Sequence, residues 1–157
     1  MPRSITPCFW FDGNAEEAIH FYTSLFTDSN IVATSRYGEG APLPAGTVMT
    51  ISFELQGRPF MAINGGPQFQ FSPAISLMVN CETQEEIDHL WNELSAGGET
   101  QACGWLRDRF GLSWQIVPAV LAELMTGDAE SSSRVMQALW GMVKLDIAAL
   151  RRAAEAS

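Results

Sequence analysis

The sequence predicts an α+β fold built from two βαβββ modules and closed by a helical extension. Three observations predict it. A segment recurs, because Glu16-Glu17-Ala18-Ile19-His20-Phe21-Tyr22-Thr23-Ser24-Leu25 is matched by Glu85-Glu86-Ile87-Asp88-His89-Leu90-Trp91-Asn92-Glu93-Leu94, with the glutamates, the histidine, an aromatic and the leucine coinciding. Such internal repetition marks a duplicated structural unit. A strand-like run and a helix-capping residue precede each copy, and three strand-like runs with a glycine turn follow it. A chain of 157 residues suits one domain in two halves. Module 1 is placed at 4–66, module 2 at 73–118 and the helical extension at 119–157, within a single domain over 1–157.

In chain order, Ile5 to Phe11 reads as a strand and Asn14 as the N-cap of a helix, with Glu17 three residues on completing a capping box. Asn30 to Tyr37, Thr47 to Leu55 and Arg58 to Asn64 read as three further strands, with Gln56-Gly57 as a tight hairpin turn. Alternation in the middle one sends Met49, Ile51, Phe53 and Leu55 one way and Thr50, Ser52 and Glu54 the other. Gly38 to Gly46 is a glycine- and proline-rich loop that no ladder accommodates, either a pocket cover or a surface insertion.

The second copy runs Ala74 to Asn80, the Thr83–Glu86 capping box, a helix ended by Gly97-Gly98, and strands Glu99 to Cys103, Trp105 to Arg109 and Leu112 to Val117. Setting Gly57 on Gly111 aligns Phe60 with Trp114, Met61 with Gln115 and Ile63 with Val117. Beyond Pro118, Met136, Leu139, Trp140, Val143, Ile147 and Leu150 form a helical stripe expected to pack on the outer face of its own sheet or on a second subunit.

Composition narrows the function. Apolar residues make up 46% and charged residues 17%, as in a compact globule. The 18 acidic against 9 scattered basic residues give a net charge of −9, which argues against nucleic acid as a partner. No apolar run approaches the roughly 18 residues of a membrane span. Met1-Pro2-Arg3-Ser4 leads straight into the first strand with no signal-peptide core, so a cytoplasmic location is expected. Cys8, Cys81 and Cys103 show neither disulfide nor zinc spacing and read as small buried residues.

The runs Phe9-Trp10-Phe11-Asp12-Gly13-Asn14-Ala15-Glu16-Glu17-Ala18, Ser76-Leu77-Met78-Val79-Asn80-Cys81, Cys103-Gly104-Trp105 and Phe110-Gly111-Leu112-Ser113-Trp114-Gln115-Ile116-Val117-Pro118 resemble the PhnB-like branch of the vicinal oxygen chelate (glyoxalase/bleomycin-resistance) superfamily, whose members are often labelled demethylubiquinone methyltransferase-like. The tail motif Met136-Gln137-Ala138 through Lys144-Leu145-Asp146-Ile147 shares the resemblance. The resemblance implies that each module curls a mixed sheet into half a barrel, that a cavity lies between the modules, and that the protein forms homodimers. The methyltransferase label finds no support in the residues. Adenosylmethionine needs a glycine-rich turn opening a helix, whereas Gly38 and Gly40 lead to Pro42 and strands, and Gly65-Gly66 to Pro67.

Metal-dependent members of the superfamily carry His, Glu or Gln on the first and last strands of each module. The corresponding places fall near Pro7 or Cys8, at Met61, near Ser76 or Leu77, and at Gln115, and only Gln115 is a plausible ligand. His20 and His89 lie on the repeated helices, away from those strands. No metal and no cofactor are therefore expected. If the polar strand faces look inward, the cavity combines Thr50, Ser52, Asn64, Ser76, Asn80 and Gln115 with the aromatics Phe69, Phe71, Trp105 and Trp114 as a small-molecule site. Glu54 and Asp108, at matching places before the hairpin turns, read as solvated strand ends, with general bases or ligands facing the cavity as the alternative. The expected function is metal-free binding of a small organic, aromatic or amphipathic ligand, with no nucleic-acid or membrane partner. The alternatives are a metal-dependent lyase, isomerase or dioxygenase using Glu54, Asp108 or Gln115, and an interaction module formed by the acidic chain and its helical tail.

Overall fold

The computed structural model describes residues 4–156; Met1, Pro2, Arg3 and Ser157 lie outside the described residues. The chain divides into two compact units, Met1–Gln70 and Phe71–Ser157.

In the first unit, β1 (Cys8–Phe11), α1 (Ala15–Leu25), β2 (Asn30–Arg36), β3 (Val48–Leu55) and β4 (Arg58–Asn64) form one sheet in the order β1-β4-β3-β2, backed by the helix. β1 runs parallel to β4, and the other pairs are antiparallel. Period-two alternation buries Ile51, Phe53 and Leu55 of β3, as the sequence predicts. The rings of Phe9, Phe53 and Phe60 stack on this side, with Phe53 and Phe60 centroids 5.5 Å apart, and Ala15, Ala18, Ile19 and Tyr22 of α1 are buried with them. Gln56 and Gly57 both take positive φ, at 51° and 75°. Two such residues make the type I′ turn whose twist matches a two-residue hairpin.

The Asn14 half of the expected capping box does not form. Asn14 makes no side-chain cap bond. Asn64 of β4 takes its place: its Oδ1 accepts the Ala15 N–H at 3.0 Å while its Nδ2 donates to the Val48 carbonyl. The end of one strand therefore holds the start of the helix, a long-range contact that no local sequence signal announces.

The second unit repeats the layout. β5 (Ser76–Cys81), α2 (Gln84–Ser95), β6 (Glu99–Thr100), β7 (Trp105–Arg107) and β8 (Ser113–Pro118) give a sheet ordered β5-β8-β7-β6, again with its first and last strands parallel. Here the cap is local, because Thr83 Oγ1 accepts the Glu86 N–H at 3.2 Å. The Glu86 carboxylate in turn accepts the Glu82 N–H. Gly98 follows α2, and a Cβ there would lie 2.1 Å from the Arg107 carbonyl oxygen, so backbone approaches backbone at a place only glycine can occupy. β6 is shorter than expected because residues 102–104 turn as a single 3₁₀ turn, with Cys103 in the left-handed region at φ 62°.

The extension forms three helices, α3 (Val120–Leu124), α4 (Ala129–Trp140) and α5 (Ile147–Glu155). Their anchors are Val135, Leu145 and Leu150, all fully buried, whereas Trp140 of the expected stripe is 64% exposed. Between α4 and α5 the chain is clamped to its own unit. Cys103 and Gly104 donate their N–H groups to the carbonyls of Met142 and Val143, Gln84 bonds both Leu145 O and Ile147 N, and Lys144 pairs with Asp88 at 2.9 Å. Among the described residues no helix is long and apolar enough to cross a membrane.

Candidate functional site

Each helix covers one face of its sheet and leaves the other face open. In the first sheet the strand register puts Cys8, Met61 and Ser52 in one row and Trp10, Ile63 and Thr50 in the next on the open face. Glu54 lies on the same side of β3, and Thr50 shares a short hydrogen bond with Ser35. Thr50, Ser52 and Glu54 thus line one face of β3. Asn64 is not with them: it is buried and committed to capping α1. Phe69 is 63% exposed and packs edge-on against Trp10, with ring centroids 4.9 Å apart.

In the second sheet Leu106, Trp114 and Ile116 are buried on the α2 side. Ser76, Met78, Asn80, Trp105, Gln115 and Val117 occupy the other side, where Met78, Gln115 and Trp105 stand in one row across β5, β8 and β7. Gln115 Nε2 donates to Ser76 Oγ at 2.9 Å, which orients the amide.

Against this face lies a cavity of about 360 Å³. Its sheet wall is Met78, Asn80, Trp105, Gln115 and Val117, and Cys103 and Pro118 stand at its margin. The opposite wall is Leu121, Ala122 and Met125 from α3 and the turn after it, with Leu139 of α4 and Leu145. The tail therefore takes the face opposite α2 rather than a helix-covered outer face, and contributes residues that sequence reading did not count as site residues. Their apolar spacing gives a helix, but not the face that the helix meets. Of the expected ligand-binding residues, Asn80, Trp105 and Gln115 line this cavity, with Ser76 bonded behind Gln115. Phe71 is half-buried near Gly111.

Trp114 and Asp108 form a different structure. Asp108 is 2% exposed rather than solvated at a strand end; its Oδ1 accepts the N–H groups of Phe110 and Leu112 and its Oδ2 accepts the Trp114 indole N–H. An Asp that accepts from the backbone two and four residues on organises a turn. Trp114, with its ring under α2, is correspondingly remote from the cavity wall.

The superfamily's divalent ion finds no fitting ligand set within either unit. The parallel registers make Met78, not Ser76 or Leu77, the counterpart of Cys8, since Cys8 pairs with Met61 and Met78 with Gln115. Two thioethers, one thiol and one amide are not the nitrogen and carboxylate donors that such an ion needs. Among the described residues no three of His, Cys, Asp and Glu are grouped to hold a metal. His20 and His89 are both exposed on their helices. Adenosylmethionine is not fitted either: Gly38 and Gly40 enter a loop before β3, Gly65 and Gly66 a loop before β5, and neither pair opens a helix. Cys81, away from the cavity, has its thiol pushed up to about 11 by burial and by the nearby Glu86 carboxylate.

The sequence profile described as 3-demethylubiquinone-9 3-methyltransferase matches residues 3–117. The tail, including the motif from Met136 to Ile147, lies outside the matched residues. No curated protein matches the chain. Among solved structures, a PhnB protein from Bacillus cereus shares 43% identity over 74% of this chain and 100% of its own, with a TM-score of 0.70. Protein PA1353 from Pseudomonas aeruginosa shares 24% identity over 74% and 98% of the two chains, with a TM-score of 0.62. The fosfomycin resistance protein FosX from Mesorhizobium loti, at 11% identity over 81% and 99% and a TM-score of 0.58, shares the fold. A profile spanning most of the chain, a relative covered in full at 43% identity and the repeated βαβββ sheets lead to one conclusion: this chain belongs to the PhnB-like, 3-demethylubiquinone-9 3-methyltransferase family.

Proposed function

We propose that this protein binds a small organic molecule in the cavity of its second unit, held between the open face of the sheet and the tail helices. The observation that carries this reading is the convergence of Asn80, Trp105 and Gln115 on one concave space of about 360 Å³, half open to solvent, whose remaining lining is mostly apolar. Small-molecule sites are concave, mostly apolar and punctuated by a few polar groups, with volumes from about 300 Å³ upward. Binding rather than group transfer is the role these residues suit, since among the described residues no carboxylate, imidazole or cation stands in the lining. The family description names a methyl transfer, but the chain offers no adenosylmethionine turn through which to derive one.

Ligand-observed NMR with a library of one- and two-ring aromatic fragments tests the proposal. Hits are expected on the native protein and are expected to be lost on Trp105→Ala, while the far-UV circular dichroism stays native. A library without hits, or hits that survive both Trp105→Ala and Gln115→Leu, would move the site elsewhere.

A further inference from the structure

We infer that the molecule taken by this cavity is uncharged where it meets the lining, a flat ring compound that presents a carbonyl or hydroxyl oxygen to the side-chain amides of Asn80 and Gln115. The inference rests on the reading that this cavity is the ligand site, and it names the class of ligand. Among the described residues no Asp, Glu, Lys, Arg or His contributes to the lining. A charged group set against that lining would shed part of its water with no opposite charge to replace it, a cost that a neutral group avoids. The net charge of −9 adds repulsion against anions at longer range.

The polar groups that are present suit a neutral oxygen. Gln115 spends one N–H on Ser76 Oγ, which leaves its Oε1 and second N–H for a ligand. Asn80 stands one step along the neighbouring strand, opposite Val117, and its amide offers both a donor and an acceptor. Trp105 pairs directly with Gln115 across β7 and β8, so the indole and the amide are cross-strand neighbours on one face of the sheet. A ring stacked on Trp105 therefore brings a substituent oxygen to Gln115. Met125 and Leu139 of the tail give the other face of the ring an apolar cover.

Three naphthalene probes of one shape test the class: 2-naphthol, 2-naphthoate and 2-naphthylmethylammonium, titrated at pH 7 into the full chain carrying Cys8→Ser. Cys103 lies in the cavity margin and Cys81 is buried with a thiol pKa of about 11, so the rate of iodoacetamide labelling at Cys103 reports occupancy of this cavity. 2-Naphthol is expected to slow the labelling and to bind at least about tenfold more tightly than either charged probe. Asn80→Ala and Gln115→Leu are each expected to weaken 2-naphthol by about three- to tenfold and to leave unsubstituted naphthalene unchanged. If a charged probe protects Cys103 as well as 2-naphthol does, the ligand class is overturned and the site stands. If the variants weaken naphthalene equally, the amides do not read the ligand. If no probe protects Cys103, the ligand-site reading itself falls.

Discussion

Trp114 donates its indole N–H to Asp108 Oδ2 at 2.9 Å, with the two residues only 1% and 2% exposed. The other carboxylate oxygen holds the Phe110 and Leu112 amides, so one side chain closes the β7–β8 turn and fastens it beneath α2. Asp108→Ala strands buried donors and is expected to cost about 2–4 kcal/mol of stability. Trp114→Phe should cost less, and the double variant should fall short of the sum. Urea denaturation of the four proteins measures the coupling; a loss under about 1 kcal/mol for Asp108→Ala would return this residue to the list of candidate bases.

Asn64 and Asn14 make a contrasting pair at the start of α1. Asn64→Ala removes the Ala15 cap and the Val48 bond together and should destabilise the first unit by about 1–3 kcal/mol. Asn14→Ala, which removes no cap bond, should cost under about 0.5 kcal/mol. Amide exchange in the first turn of α1 distinguishes the two, and equal effects would contradict the cap assignment.

Acid should loosen the tail. The Asp88 carboxyl is held below its ordinary value by hydrogen bonds from Gln84 and Lys144 and by the Lys144 charge. A depressed carboxyl contributes stability above its unfolded pKa of about 3.8 and loses it as pH falls through the lower folded value. Limited proteolysis of the segment after Trp140 should therefore accelerate as pH falls below about 4. Lys144→Ala should cleave faster at neutral pH and respond less to acid.

Alkali acts in the opposite sense on Cys81. With the folded thiol raised from 9.0 to about 11, the unfolded chain gives up its proton first, so stability falls as pH rises from about 9 to about 11 and then levels. Thermal melts of Cys81→Ala across that range should lack this component. In native protein at pH 8, iodoacetamide should modify exposed Cys8 well before Cys81.

Much of this was legible in the sequence, and the exceptions have physical causes. The duplicated helix fixed the pairing of halves, and Gln56-Gly57 fixed the hairpin. The helix alignment alone misplaced the counterpart of Cys8 by one residue, because three residues separate β1 from α1 and two separate β5 from α2; strand register settles it at Met78. Asp108 was misread as a strand end although its spacing to Phe110, Leu112 and Trp114 carried the turn signal. The cavity beside the second sheet is not the one expected between the modules, although three of its wall residues were among those named. Asn80, Trp105 and Gln115 follow from strand alternation, whereas Leu121, Met125 and Leu139 meet them only through tertiary packing, which apolar periodicity does not specify.

The clamp that joins Met142 and Val143 to Cys103 and Gly104 bears on how the chain acquires its shape during translation. Every strand partner in the first unit lies within Met1–Gln70, so that ladder can zip while later residues are still being made. The second sheet has no such independence. Its open face stays uncovered until the ribosome has made the chain through Leu145 and Leu150, the buried anchors of the tail, and in that interval Trp105 and Val117 face solvent as a surface on which a nascent neighbour or a chaperone could settle.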